Sequence, residues 1–423
     1  MGSLEGGAVR KPRRVVITGL GVVAPNGIGK DAFWDALVAG KSGIDYINAF
    51  DPSPHTCHVA GEVKDFRPSE FMSAPNVKVM GRFSQLAVAA TRLALLDAKV
   101  SITPDLSGHT AICLGTSVAG LQVAVEGVED FASHGPGVIK RWTALEYPPH
   151  AAASYLAIEL DITGPAITIS SNCCTGIDTL NAATQQIVSG QAEMAIAASA
   201  DAPIFPIIFD AFCTLGALTK RNDDPKRASR PYDLLRDGLV LAEGSAALIV
   251  EELNRARDRG ATIYAEVLGH NAASEALGMR KGDLSGRAMA ATIRSAIRSA
   301  GLRPEDIDHI NAHGSSLPDF DICDTRAFKL ALGDSAYRIP ISSIKSMIGQ
   351  PVSAAGLLQT AAACLSLRDQ RVPPTINQEV RDPHCDLDYV PNWSRSARIR
   401  YALVNGHSFG GSVSALVIGQ PRQ

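Results

Sequence analysis

Residues 166–176 read AITISSNCCTG, and this stretch decides the class of fold. A short apolar run rich in β-branched residues ends near Ser170, and Ile177, Leu180, Ala183 and Ile187 then recur at helical spacing until Gly190. The segment predicts a strand, an elbow carrying Cys173 and Cys174, and a helix. A thiol at such an elbow lies by the positive end of the helix dipole, which favours thiolate and nucleophilicity. Two small cysteines filling a core is the competing structural reading.

Working outward, further β-branched runs occupy 15–18, 110–114, 194–198 and 246–251, and then 263–268, 307–312, 339–343, 401–405 and 412–418. Ala-rich helical stretches separate them, which predicts an α/β protein with strands buried on both faces. The two sets have similar number and order, so a duplicated unit is expected, with its junction near 253–260. The expected organisation is an N-terminal arm over 1–14 and two halves, 15–255 and 256–423, sharing one core. A chain of 423 residues at about 150 per domain gives roughly two or three units.

Composition narrows the function. Forty basic against 43 acidic residues leave a net charge of −3, so no global field draws nucleic acid or an anionic membrane. Aromatics at 5% are too few for base-stacking platforms. The apolar run around 194–212 is interrupted by Asp201, Pro203 and Pro206, so no bilayer span is expected. The first fourteen residues lack a signal peptide's apolar segment. Eight dispersed cysteines without a CxxC pair predict a reduced, cytoplasmic protein with no metal. Residues 19–24, GLGVVA, formally match a dinucleotide fingerprint, but PNG follows at 25–27 and blocks the helix start. A tight exit from the first strand is expected there, with no nicotinamide cofactor.

Three other places carry chemistry-bearing residues. His313 follows a strand in INAHGSS and precedes Gly and two hydroxyls, a setting that presents a ring nitrogen. Lys345 leaves another apolar strand and needs an anion or water; Asp321, Asp324 and Glu243 are the candidate acids. SFGGS at 408–412 is a glycine turn carrying Phe409, suited to a flap or an ordinary loop.

Together these segments resemble the elongating β-ketoacyl-acyl-carrier-protein synthases of the thiolase-like superfamily. The resemblance rests on VVITGLGVVAPNGIG (15–29), GRFSQLAVAA (81–90), LDITGPAITISSNCCTG (160–176) and the block at 227–252. INAHGSSLP (310–318), SSIKSMIG (342–349) and SFGGS complete the set. It implies a five-layered αβαβα fold from two pseudo-symmetric halves, a homodimer or paired heterodimer, and an acyl carrier protein as partner. It implies no cofactor, the substrate being held as a phosphopantetheine thioester. By motif position Cys173 would be the acyl-accepting nucleophile, and the amides of Cys173 and Phe409 the oxyanion hole. His313 would stabilise charge on the second thioester, Lys345 would pair with Asp324, and Phe409 would gate the thiol.

Four positions depart from that pattern. Gln350 stands where a second histidine is usual; its amide can donate a hydrogen bond but cannot titrate. Leu317 replaces a threonine that would help hold the pantetheine arm, while Ser315 keeps the other hydroxyl. The basic docking segment shrinks to APNVKV at 74–79, leaving Lys78 and Arg82 to meet an acidic carrier protein. Asn172 precedes the nucleophile where a small residue is usual. The leading expectation is an acyltransferase of specialised polyketide or polyketide–peptide biosynthesis that forms a carbon–carbon bond by Claisen-type condensation. The alternative is a non-elongating enzyme that cyclises its tethered chain by aldol or lactone formation, or transfers it without malonyl decarboxylation. A catalytically silent chain-length-factor-like subunit is disfavoured by Cys173 and His313.

Overall fold

Two five-stranded units with the same strand order join edge to edge. The computed structural model describes residues 13–280 and 282–422; residues 1–12 of the expected arm lie outside the described residues. The first unit comprises β1 (Val15–Ala24), β2 (Thr110–Gly115), β3 (Ala166–Ile169), β4 (Met194–Asp201) and β5 (Gly244–Glu252). The second comprises β6 (Ala265–Ser274), β7 (His309–Asn311), β8 (Ile341–Ser342), β9 (Tyr401–His407) and β10 (Ser412–Gly419). The spatial orders are β1-β5-β4-β2-β3 and β6-β10-β9-β7-β8. In both units the first two contacts are antiparallel and the last two parallel. The units meet where Val16 and Ile17 of β1 pair antiparallel with Glu266 and Ala265 of β6. The helix Leu253–Asp258 bridges them in the chain.

Five principal helices fill the layers: α1 (Arg82–Ala98), α2 (Thr175–Val188), α3 (Arg287–Ser299), α4 (Pro318–Leu332) and α5 (Ala355–Asp369). α2 and α5 lie in the middle, where Ile177, Leu180, Leu357 and Leu358 share one core with Ala246, Leu248 and Val250 of β5 and Ala402 and Val404 of β9. The alternate residues of β5, Ala247 and Ile249, face a second core with α1. α3 and α4 cover the other outer face through Met289, Ile293, Phe328 and Leu332. The architecture is the thiolase-like αβαβα stack that the resemblance implied. Each fully buried Leu or Ile there contributes roughly 1.5–3 kcal/mol relative to exposure.

All ten expected strands form, but two local expectations fail. β1 does not exit at Gly19–Gly21; it runs on to Ala24. The glycines are needed because α1 presses on the strand: a Cβ on Gly21 would sit 1.8 Å from the Ala90 carbonyl oxygen, and one on Gly19 2.4 Å from that of Ala94. β3 is an edge strand rather than a doubly buried one, with Ile167 exposed.

Candidate active site

The elbow after β3 is a 3-10 turn over Asn172–Cys174 that opens directly into α2. Asn172 takes φ 56°, a left-handed conformation that asparagine tolerates better than most side chains. Its Oδ1 lies 3.7 Å from Cys173 Sγ, so the residue both makes the bend and borders the thiol. Cys174 is core: its Sγ bonds the Ser412 carbonyl at 3.2 Å and supports the loop that carries Phe409.

Cys173 is buried, and burial pushes its thiol up to about 11; the Lys345 charge and the Gln350 side chain oppose this. The expectation of a thiolate at a helix start is therefore corrected: desolvation outweighs the helix end and the nearby cation. Its own N–H points at its sulfur. Around Phe409 the amides of Ser408, Gly410 and Gly411 all donate to carbonyls, while among the described residues no acceptor takes that of Phe409. Two free or sulfur-directed amides are what an oxyanion site requires.

His313 is buried, and burial with the Lys345 charge holds it well below the usual imidazole range. The His407 amide donates to its Nδ1 at 3.3 Å, so the ring is neutral with its proton on Nε2. Lys345 does not pair with Asp324, Asp321 or Glu243. Its Nζ donates to the His313 carbonyl at 2.6 Å and to Gln359 Oε1 at 2.9 Å. Both partners are neutral, and burial lowers the ammonium to about 8. Asp324 instead receives Gly314 N–H (2.9 Å), Tyr232 O–H (3.1 Å) and Asn405 Nδ2 (2.9 Å). Asp321 receives the amides of Ser315, Ser316 and Tyr232 and faces Arg236 at 3.4 Å. Glu243 is taken by Arg82 at 2.5 Å, which removes Arg82 from the expected docking segment and leaves exposed Lys78.

Gln350 is buried beside the thiol, and its Oε1 has no partner among the described residues. Ser315 accepts the Leu317 amide at 3.4 Å, and Leu317, Phe212 and Phe409 all pack against one apolar cluster that includes Phe209 and Val352. Phe320 stands between Phe409 and the histidine, its ring 5.4 Å from that of Phe409 and 6.2 Å from that of His313. A surface cleft of about 750 Å³ runs past Gln185, His270 and Arg422, on residues other than those around the thiol. The candidate residues thus gather from both units around one buried thiol.

The model of the beta-ketoacyl synthase N-terminal domain matches residues 12–256, and that of the C-terminal domain matches residues 264–379. The chain belongs to the β-ketoacyl synthase family. A 3-oxoacyl-(acyl-carrier-protein) synthase 2 of Coxiella burnetii is 37% identical over 96% of this chain and 99% of that protein. The tetracenomycin polyketide synthase ketoacyl synthase alpha subunit of Streptomyces glaucescens is 40% identical over 97% and 98%. Among solved structures, a type II polyketide synthase acyl-carrier protein in complex with its ketosynthase bound to the hexaketide superposes with TM-score 0.90. That match has 34% identity and covers 97% of this chain and 100% of that one. The ishigamide ketosynthase/chain length factor matches with TM-score 0.91 and 32% identity, covering 97% and 100%.

The site also includes residues that reading by motif missed. Asn405 joins three parts of the site: its Oδ1 takes the His313 amide, its Nδ2 reaches Asp324, and its carbonyl takes Gln359 Nε2. Asp201 gathers the amides of Ser117, Val118 and Ser353 beneath the elbow. A lone polar residue inside an apolar strand run was the available signal for both.

Proposed function

We propose that the protein is a cytoplasmic condensing ketosynthase of specialised polyketide or polyketide–peptide biosynthesis, with Cys173 as acyl acceptor. The observation that carries this reading is a buried thiol under the charge of Lys345, whose Nζ also holds the carbonyl of the neutral His313. Acyl transfer would break the thioester carbon–sulfur bond and form acyl-Cys173, the thiol proton leaving with the carrier thiol. The oxyanion of the tetrahedral intermediate would lie between the amides of Cys173 and Phe409. Loss of carbon dioxide from a malonyl thioester would leave its electron pair as an enolate, held by His313 Nε2–H and Gln350 Nε2. The enolate carbon then attacks the acyl carbonyl and expels the Cys173 thiolate. Lys345 favours the thiolate form throughout. No cofactor enters this chemistry; both acyl groups arrive as phosphopantetheine thioesters on a carrier protein. Eight free cysteines accord with a reducing compartment, and no described helix is long and apolar enough to cross a membrane.

The carrier-protein partner is supported by the ketosynthase complex found among similar structures. With Arg82 locked, recognition would be local and weakly steered. A homodimer is supported by the open edge of β3 and by exposed Leu121, Val128 and Phe131.

Gln350 favours one second reading, internal cyclisation of the tethered chain without decarboxylation. Its unpartnered carbonyl oxygen gives the site an acceptor as well as a donor beside the acyl group. Incubation with acyl- and malonyl-carrier protein separates the two. Acyl-Cys173 by intact mass with carbon dioxide release and a β-ketoacyl product is the expected result. Acylation and chain release without carbon dioxide would replace condensation by cyclisation, and no acylation would overturn both.

A further inference from the structure

We propose that Glu275, Cys323 and His407 form a transition-metal site, with zinc as the fitting ion. The three come from the end of β6, from α4 and from the last residue of β9, and one donor atom of each lies within 4.8 Å of the others. The carboxylate and imidazole side chains are fully buried, with Glu275 Oε1 3.0 Å from His407 Nε2. Cys323 is equally buried. Despite that proximity, Glu275 Oε1 and both ring nitrogens of His407 make no hydrogen bond among the described residues. Glu275 Oε2 takes the Asp283 amide at 3.0 Å, which leaves Oε1 and the whole imidazole for another partner. An imidazole sealed from water without hydrogen bonds is costly, and an ion that it and the free carboxylate oxygen can ligate removes the cost.

The donor set selects the ion. Thiolate, imidazole and carboxylate are zinc ligands, whereas calcium and magnesium prefer all-oxygen shells. Three protein ligands leave a fourth position for water. A dication takes Cys323 as the thiolate, and the thiol proton leaves to solvent on binding. The metal-free alternative is a carboxylate–imidazolium pair with Cys323 as a bystander.

The site is outside the reacting atoms, so its role is to brace them. The His407 amide fixes the tautomer of His313. Cys323 precedes Asp324, which holds Gly314 and Asn405. The Glu275 amide donates to the Gly411 carbonyl at 2.8 Å, and Gly410 donates to Met279 at 2.9 Å, so the loop after β6 backs the Phe409 turn. One ion would tie the histidine, the acid helix and the gate loop together. No CxxC spacing announces it, because three distant segments each supply one ligand.

The test is metal content of the untagged full chain by mass spectrometry after dialysis. About one zinc per chain is expected. Cys323→Ser and Glu275→Gln should weaken binding by more than the roughly 10–100-fold seen for outer-shell changes. Cobalt substitution should give a sulfur-to-cobalt charge-transfer band that Cys323→Ser abolishes. Metal-free protein that neither gains thermal stability with zinc nor shows the cobalt band overturns the site, as does zinc retained undiminished in both variants. Should the variants not fold, absence of the band in the wild-type chain overturns it alone. None of these readouts depends on condensing activity.

Discussion

The two units offer the same backbone device at equivalent points and use it differently. After β3 the chain makes a 3-10 turn at Asn172–Cys174 and enters buried α2; after β8 it makes a 3-10 turn at Val352–Ala354 and enters buried α5. The first residue of each turn has positive φ, 56° at Asn172 and 45° at Val352. The helices meet at a matching pair of glycines: a Cβ on Gly176 would lie 2.6 Å from the Leu357 amide nitrogen, and one on Gly356 2.6 Å from that of Ile177. The first turn carries the Cys173 thiol. The second carries Ser353, whose amide is tied to Asp201. Between β8 and the second turn the chain inserts Lys345 and Gln350, both reaching Cys173. Of the two elbows, one carries the thiol and the other follows the cation and amide that act on it.

That contrast can be broken most sharply at the sulfur. Cys173→Ala should lower acyl loading by on the order of 10⁴-fold or more, read by intact mass, whereas Ser353→Ala should load normally. Equal loss in both would mean the second turn is also catalytic. The shared backbone predicts the next effect. Gly176→Ala and Gly356→Ala should each destabilise by about 1–3 kcal/mol in denaturant unfolding, because the added methyl meets backbone rather than a movable side chain. A large effect at one glycine alone would undo the equivalence of the two helices.

The support role of the second unit predicts a pH dependence. Because the resting Cys173 pKa lies near 11, its iodoacetamide labelling should rise about tenfold per pH unit through the neutral range. Lys345→Met removes a cation that lowers that pKa, so labelling should be slower at each pH; faster labelling would show that Lys345 does not act on the thiol. The smallest effect belongs to the turn itself. Asn172→Ala should cost roughly 1–2 kcal/mol of stability and Asn172→Gly much less, because only the former strains a left-handed residue. Equal costs in thermal unfolding would assign Asn172 to the thiol instead of the bend.

Strand positions were legible because each strand is a contiguous apolar run, and the duplication showed in their order. Edge and interior were not: β3 and β4 both read as buried, and only pairing separates them. Cys173, His313, Lys345 and Phe409 stood out because each follows an element end in a short motif. Asn405, Asp201, Phe320 and His407 did not, since a buried residue acquires its role from partners far along the chain.

The sequence by itself determined the element order, the repeated unit, the family and the motif positions of the reacting groups, all of which depend on local pattern. Tertiary structure decided what those groups face. It placed Lys345 against neutral oxygens rather than Asp324, gave Arg82 to Glu243, pressed α1 onto Gly19 and Gly21, and raised the Cys173 pKa. The reason is physical: desolvation and pairing depend on distances through space, which the chain specifies only once all its layers are packed.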